Sequence, residues 1–357
     1  MRVLIVDDSV VFRSQIRAAL NGQEFIETIA VANNGKIALQ KLAQGAIDLI
    51  TLDMEMPEMS GIETIRAIRK ANYPVRIIVF SSHTRAGSEM ALEALVAGAD
   101  DFTAKPAGED VNITNAAEKI RSQLLPKILQ FKAPSPEDTI RPAPSVARAP
   151  AAQPPSHVIY EKRNLSTFLP SVLLIGSSTG GPPAIERLLA GLKPPFRIPI
   201  LIVQHMPAVF TASLAKRLGA TLGIEAGEAV HNQPILANRL YVAPGEFHFT
   251  VQKNGDAIVA QLDKTPQRNS VRPCVDSLFE TAVDVYSSRC MAVILTGMGE
   301  DGLLGCRAVK RAGGGVMIQN KESCVVFGMP GAVFKDGCYD DMGEPEQIKQ
   351  VIGRMLV

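Results

Sequence analysis

The sequence predicts two doubly wound α/β domains joined by a proline-rich connector. Three observations predict this. The chain has 357 residues, 46% of them hydrophobic, which exceeds one ordinary domain of roughly 100–200 residues and suffices to fill two cores. Short β-rich apolar runs alternate with amphipathic stretches in both halves, the pattern of a parallel sheet covered by helices. Between the halves the composition changes abruptly. Of the 26 residues 132–157, seven are proline and six alanine; proline removes backbone donors and favours extended, solvated chain. The expected organisation is a first domain over 1–125, a connector over 126–165 and a second domain over 166–357.

The elements follow in order. In the first domain, strands are expected at 3–6, 26–32, 49–52, 77–80 and 101–103, with helices over 10–20, 36–43, 62–69 and 89–97. The second domain opens with a buried strand at 171–175, followed by GSSTGG and by Pro182-Pro183. Proline in the first turn is a helix start, here for 184–189. A second buried strand, 198–203, leads into Gln204-His205-Met206-Pro207 and a helix through Leu218. Residues 240–262 alternate and contain Asn254-Gly255, a hairpin signal. A helix near 276–287, a strand at 291–295 and GMGEDG opening a further helix complete a mostly parallel, three-layer α/β/α domain with one antiparallel piece.

Charge narrows the function classes. Lys+Arg number 37 and Asp+Glu 36, a net +1. Net charge is −2 over 1–130, +2 over 131–165 and +1 over 166–357. No segment carries the basic excess expected of a nucleic-acid or anionic-membrane binder. Acids follow the first apolar run directly, so no secretory signal is expected. No run approaches 18 apolar residues, so no membrane insertion is expected either, and the protein is expected to be cytoplasmic. The five cysteines, 274, 290, 306, 324 and 338, form no CxxC pair and read as buried free thiols.

Asp7 and Asp8 end the first strand, Asp53 the third and Ser81 the fourth, and Lys105 follows the fifth. A parallel sheet gathers these side chains at one edge. Taken singly they are ordinary polar residues at strand ends. Together, three converging carboxylates repel one another unless a cation is present, and an octahedral Mg²⁺ is the natural one. A cation and a lysine beside a carboxylate also suit phosphoryl transfer. Asp7-Asp8, the DMEMP of 53–57, Gly61, Ser81-Ser82 and Lys105-Pro106 resemble the response-regulator receiver family, which has a five-stranded flavodoxin-like fold. The resemblance implies phosphorylation of Asp53 by a partner histidine kinase. It implies Mg²⁺ held by Asp8, Asp53 and the backbone carbonyl of Glu55, with Asp7 in the outer sphere. Ser81 and Lys105 would contact the phosphoryl oxygens; serine here, in place of the commoner threonine, keeps the donor but loosens the rotamer.

The second domain is too long for a helix-turn-helix and is built as α/β. GSSTGG, between a buried strand and a proline-started helix, allows two readings. It is either a phosphate cradle of backbone N–H groups, although GxxxxGK[ST] and GxGxxG do not fit, or a nucleophile turn whose serine profits from the helix dipole. A serine nucleophile needs a base. His157 falls in the connector and His83 in the first domain, leaving His205, His231 and His248. His205 stands at a strand end adjacent to that of Ser178, and Asp301 follows a third buried strand, so a Ser–His–Asp set would arise from three strand ends.

The motifs GSSTGGP at 176–182, QHMP at 204–207 with Phe210-Thr211, YVAPG at 241–245, RPCVDSLF at 272–279 and LTGMGEDG at 295–302 resemble the chemotaxis protein-glutamate methylesterase family. The resemblance implies that Ser178 is the nucleophile, His205 the general base and Asp301 its orienter, with the Met298 N–H in the oxyanion hole. It implies methylated chemoreceptors as substrate, demethylated at glutamate esters and deamidated at glutamines, with no cofactor in the esterase site. Two departures stand out: Ser177, where alanine is frequent, and Glu300, expected to face solvent. From the domain order, the receiver is expected to obstruct the esterase cleft until phosphorylated. A rival reading is a phosphorylation-gated binding module.

Overall fold

The computed structural model describes residues 1–106, 113–131 and 160–357. Residues 132–157, read above as connector, lie outside them. The first domain runs β1 (Arg2–Val6), α1 (Val10–Leu20), β2 (Thr28–Ala32), α2 (Gly35–Gln44), β3 (Leu49–Asp53), α3 (Gly61–Lys70), β4 (Arg76–Ser81), α4 (Arg85–Ala97), β5 (Asp101–Ala104) and α5 (Ile113–Leu129). Its sheet has the order β2-β1-β3-β4-β5, and every pair is parallel. Helix α4 begins earlier than the apolar periodicity suggests, because Thr84 caps it, its hydroxyl accepting from the Gly87 amide at 3.0 Å. Helix α5 escaped the sequence reading. Ala116, Ile120, Leu124 and Ile128 recur every fourth residue and are buried; the last three pack with Val3, Ile5 and Leu49 of the sheet.

The second domain runs β6 (Val172–Ser177), α6 (Gly181–Leu189), β7 (Ile200–Gln204), α7 (Ala208–Leu222), β8 (Glu225–Glu228), β9 (Arg239–Val242), β10 (His248–Asn254), β11 (Ala257–Asp263), α8 (Val275–Tyr286), β12 (Cys290–Ile294), α9 (Leu303–Arg311), β13 (Gly315–Gln319), α10 (Met329–Asp336), β14 (Asp341–Gly343) and α11 (Pro345–Leu356). Seven strands form one sheet, β14-β13-β12-β6-β7-β9-β8, with all pairs parallel. The alternating stretch 240–262 therefore divides. Strand β9 joins the main sheet, while β10 and β11 form a separate antiparallel hairpin turning at Gly255, whose φ of 59° suits glycine. Strand β6 is buried along its length. Leu173 and Ile175 face one apolar cluster, and Val172 and Leu174 face the other, as expected of a central strand covered on both sides.

The two domains share an apolar cluster. Leu92, Leu95 and Phe102 of the first lie in it with Ala184, Phe210 and Leu214 of the second. Phe102 and Phe210 have ring centroids 4.4 Å apart. Around them Ser88 and Ser213 hydroxyls meet at 2.6 Å, Thr179 donates to Asp101 at 2.8 Å, and Lys216 pairs with Glu89 at 3.1 Å. The five cysteines are free; four are buried and Cys324 is partly exposed. Among the described residues no helix is long and apolar enough to cross a membrane.

The segment entering the second domain is pinned by a buried ion pair. Lys310 of α9 donates to Asp340 and to the Glu161 carbonyl, and Asp340 also accepts from the Arg163 and Val316 amides. Removing one partner of a buried pair strands the other charge. Lys310→Met is expected to lower the unfolding free energy of the second domain by about 3–5 kcal/mol, measured by urea denaturation. A loss below about 1 kcal/mol, the range of exposed pairs, would contradict it.

Candidate active site

The sheet order fixes where chemistry gathers. Strand β6 lies between β12 and β7, so the chain leaves it in opposite directions on its two sides. Such a switch point opens a crevice at the carboxyl ends of the strands. Ser178 follows β6, His205 follows β7, and Asp301 lies beyond β12 in the glycine-rich loop. The backbone locks these ends together: the Ser178 amide donates to Thr296 O at 3.0 Å and the His205 amide to Ser177 O at 3.1 Å. Glycine is required at 297, because a Cβ there would stand 2.8 Å from the Cβ of Ser178.

His205 and Asp301 are in direct contact, Nε2 to Oδ2 at 2.8 Å. An ionised carboxylate accepts only, so the proton of this bond sits on Nε2, and Nδ1 is the ring nitrogen that Asp301 does not engage. Among the described residues the Ser178 hydroxyl makes no hydrogen bond to His205, although the two stand at neighbouring strand ends. Asp301 is held on all sides. Its Oδ2 accepts from the Val275 amide at 2.7 Å; its Oδ1 accepts from the Asp276 and Gly302 amides, the Asn269 carboxamide and the Cys274 thiol at 3.0–3.1 Å. Val275 and Asp276 open α8, so the carboxylate caps a helix N-terminus and meets its dipole. Burial acts to raise this carboxyl, but His205 and these donors outweigh it and hold Asp301 well below the usual carboxylate range. The Cys274 thiol is pushed up to about 12 by burial and the Asp301 charge, and so stays a neutral donor.

The remaining sequence candidates divide. Met298 is exposed. Ser177 is fully buried and donates to Gln204 at 2.7 Å, so it is no rival nucleophile. Gln204 in turn donates to the Ser178 carbonyl at 2.8 Å. Glu300 is exposed. His231 and His248 serve the hairpin: His231 Nδ1 accepts from the Leu262 amide, and His248 Nε2 meets the Pro266 carbonyl. His157 lies outside the described residues. Sequence reasoning missed Asn269, Cys274 and Asp276. The RPCVDSLF motif carries Cys274 and Asp276 without showing their roles, and for Asn269 the local signal was the RNS turn just ahead of that motif.

At the carboxyl edge of the first sheet, ligand oxygens of Asp7, Asp8 and Asp53 lie within 4.8 Å of one another. Lys105 Nζ stands 2.7 Å from Asp53 Oδ1 and 3.5 Å from Asp7 Oδ2. Burial and then the Asp53 charge push the Asp7 carboxyl up to about 6, against the pull of Lys105. Among the described residues Asp7 Oδ2 is buried with no hydrogen bond, only the long ion pair to Lys105. Such an under-satisfied carboxylate oxygen among three acids fits a divalent cation. Glu55 is exposed in the loop after β3. The Ser81 hydroxyl is buried and donates to the Gly87 carbonyl at 2.5 Å.

Comparison with known proteins places both halves. The family model described as CheB methylesterase matches residues 173–352, and the response regulator receiver domain matches 3–117. A curated protein-glutamate methylesterase/protein-glutamine glutaminase of Trichodesmium erythraeum is 40% identical, over 99% of each chain. One of the same name from a Nocardioides species is 42% identical over 94% of this chain and 90% of its own. The crystal structure of the Thermotoga maritima CheB methylesterase catalytic domain, 40% identical, covers 52% of this chain and 98% of that one with a TM-score of 0.50.

The acidic cluster generates a pH-linked expectation. A carboxyl raised in the folded state costs stability once ionised, so the Asp7 penalty is absent near the unfolded value and complete above about pH 6. A cation bound there displaces the proton. At pH 6, Mg²⁺ binding is expected to release about half a proton, falling toward zero at pH 8. Calorimetry in buffers of different ionisation enthalpy reads this. Asp7→Asn should abolish the release, and an unchanged release in that variant would rule out Asp7 as its source.

Proposed function

The chain belongs to the receiver-linked protein-glutamate methylesterase/protein-glutamine glutaminase family, and on that premise we propose that Ser178, His205 and Asp301 carry the hydrolysis. The enzyme demethylates glutamate methyl esters, and deamidates glutamines, on chemoreceptors under control of receiver phosphorylation. The carrying observation is the His205–Asp301 bond beside Ser178. With Nε2–H committed to Asp301, Nδ1 is the nitrogen free to take the Ser178 proton as the hydroxyl oxygen attacks the ester carbon. The tetrahedral oxyanion is met by the Met298 N–H, a kind of donor worth about 3–4 kcal/mol. His205 then gives its proton to the departing methoxide, and methanol leaves. Water, deprotonated by the same nitrogen, cleaves the acyl-enzyme and restores Ser178 and a free glutamate. An amide substrate takes the same path and releases ammonia.

Control enters through the first domain. Asp53 accepts a phosphoryl group from a histidine kinase. Asp7, Asp8, Asp53 and the Glu55 carbonyl would hold Mg²⁺, which supplies charge neutralisation when bound, and Lys105 contacts the phosphoryl oxygens. The receiver reaches the residue next to the nucleophile, since Asp101 accepts from Thr179, and it stacks on the α7 that follows His205. Closed in this way, it restricts access to the crevice. The Ser81 hydroxyl ties the end of β4 to Gly87, one residue before Ser88 of the contact. A phosphoryl group that captures this hydroxyl frees that turn and weakens the closed state.

Two experiments test the reading, both on methanol release from methylated receptor membranes. Ser178→Ala should reduce release to background, and Asp301→Asn should lower kcat by about 10⁴; release retained in Ser178→Ala would rule out Ser178 as the nucleophile, and no release from wild type would favour the binding-module reading. Acetyl phosphate with Mg²⁺ should raise release by wild type but not by Asp53→Ala. Deleting residues 1–155 should raise it above the unphosphorylated full-length level, and no rise would show that the receiver does not occlude the site.

A further inference from the structure

Beside the triad lies a second buried carboxylate with no part in the steps above. Asp276 is 1% exposed. Its Oδ1 accepts from the Gly305 amide at 2.8 Å, and its own amide donates to Asp301 Oδ1 at 3.1 Å. Burial and then the Asp301 charge push its carboxyl up to about 6. Two acids this close work against each other when both are charged. One group stands between them. The Asn269 Nδ2 donates to Asp276 Oδ2 at 3.0 Å and to Asp301 Oδ1 at 3.1 Å.

The backbone around Asn269 is built for this reach. Asn269 and Ser270 both have left-handed φ, 51° and 62°. Asparagine tolerates that region best among residues with a side chain, and left-handed pairs outside glycine collect where surrounding structure forces them. Here Arg268 is the forcing anchor, bidentate to Glu280 of α8 and bonded to Ser277, with the Arg268–Val271 bridge closing the turn. The turn carries a carboxamide from the solvent edge to the back of the triad, on the side of Asp301 away from His205.

We infer that Asn269 is a positioning residue of this hydrolase: its carboxamide bridges Asp276 and Asp301 and keeps the Asp301 carboxylate aimed at His205. The inference rests on the functional reading above. The charged and titratable groups facing the pair are His205 and Cys274 on Asp301, Arg268 and Glu280 around Asp276, and Cys306 behind both. Among the described residues, only the Asn269 carboxamide donates to both carboxylates from a side chain.

The test is a double-mutant cycle in the full-length, phosphodonor-activated enzyme. Asn269→Gly preserves the left-handed backbone and removes only the donors; it is expected to lower kcat about tenfold with KM little changed. In an Asp276→Asn background the competing charge is gone, and the same Asn269→Gly change should cost less than threefold. Equal losses in both backgrounds, or a loss confined to KM, would overturn the inference. So would wild-type kcat in Asn269→Gly. The downfield proton of the His205 Nε2–H···Asp301 bond is followed by NMR in the same proteins, and should shift in Asn269→Gly. It reports the placement of Asp301 whatever the enzyme hydrolyses. A wild type that releases no methanol would therefore sink the functional reading alone, while an unmoved resonance would sink the positioning role alone.

Discussion

The catalytic half of this molecule depends on one buried charge. Asp301 is almost fully enclosed, and an isolated carboxylate there would take up a proton. It remains ionised because the opening amides of α8 point at it, the Gly302 amide closes over it, and His205 and Asn269 complete the shell. The requirement runs outward. Helix α8 must start beside the β12 loop, which places RPCVD where it is. The loop must curl tightly, and Gly299 and Gly302, with φ of 83° and 93°, let it do so. His205 must stand at the end of β7, with its Nε2 directed at Asp301.

The same economy shapes the union of the two domains. Their contact combines an aromatic pair and several apolar side chains with short hydroxyl bonds and one exposed ion pair. The apolar part gives affinity. The exposed Lys216–Glu89 pair adds little, and the hydroxyls of Ser88, Ser213 and Thr179 are groups that water can satisfy equally well once the faces separate. An interface of this kind closes without trapping unpaired charge on opening, which suits a contact that must be reversible.

How much of this was legible in the sequence depends on the range of each interaction. The strands could be read because burial on both faces leaves unbroken apolar runs. The strand-end residues could be read because a parallel sheet brings the carboxyl ends of those runs to one edge. Helix α5 was missed because its apolar spacing of four is diluted by polar neighbours and interrupted by Pro126. The main sheet was read as mostly parallel because the alternation of 240–262 merges a parallel strand with a hairpin that pairs only with itself. Asn269 could not be found by pattern. Its function depends on a carboxylate 32 residues away and on a backbone φ that many polar turns share. The Ser88–Ser213 contact is similarly silent, since two small hydroxyl residues 125 positions apart carry no periodicity.

Ser81 shows how the two halves are joined in one physical chain. In a receiver of this family the hydroxyl ending the fourth strand is expected at the phosphoryl group, yet here it donates to Gly87 at the start of α4. Glycine is needed there because a Cβ would stand 2.3 Å from the Ser82 hydroxyl and 3.0 Å from that of Ser81. The hydroxyl has one proton to donate, so it can serve the helix or the phosphoryl oxygens but not both. The choice is local, and its consequence is not: the next two residues, Ser88 and Glu89, bind Ser213 and Lys216 of α7. Helix α7 in turn begins three residues after His205. Exclusive use of a single proton at one sheet edge is thereby coupled, through one helix, to the element that carries the chain away from His205.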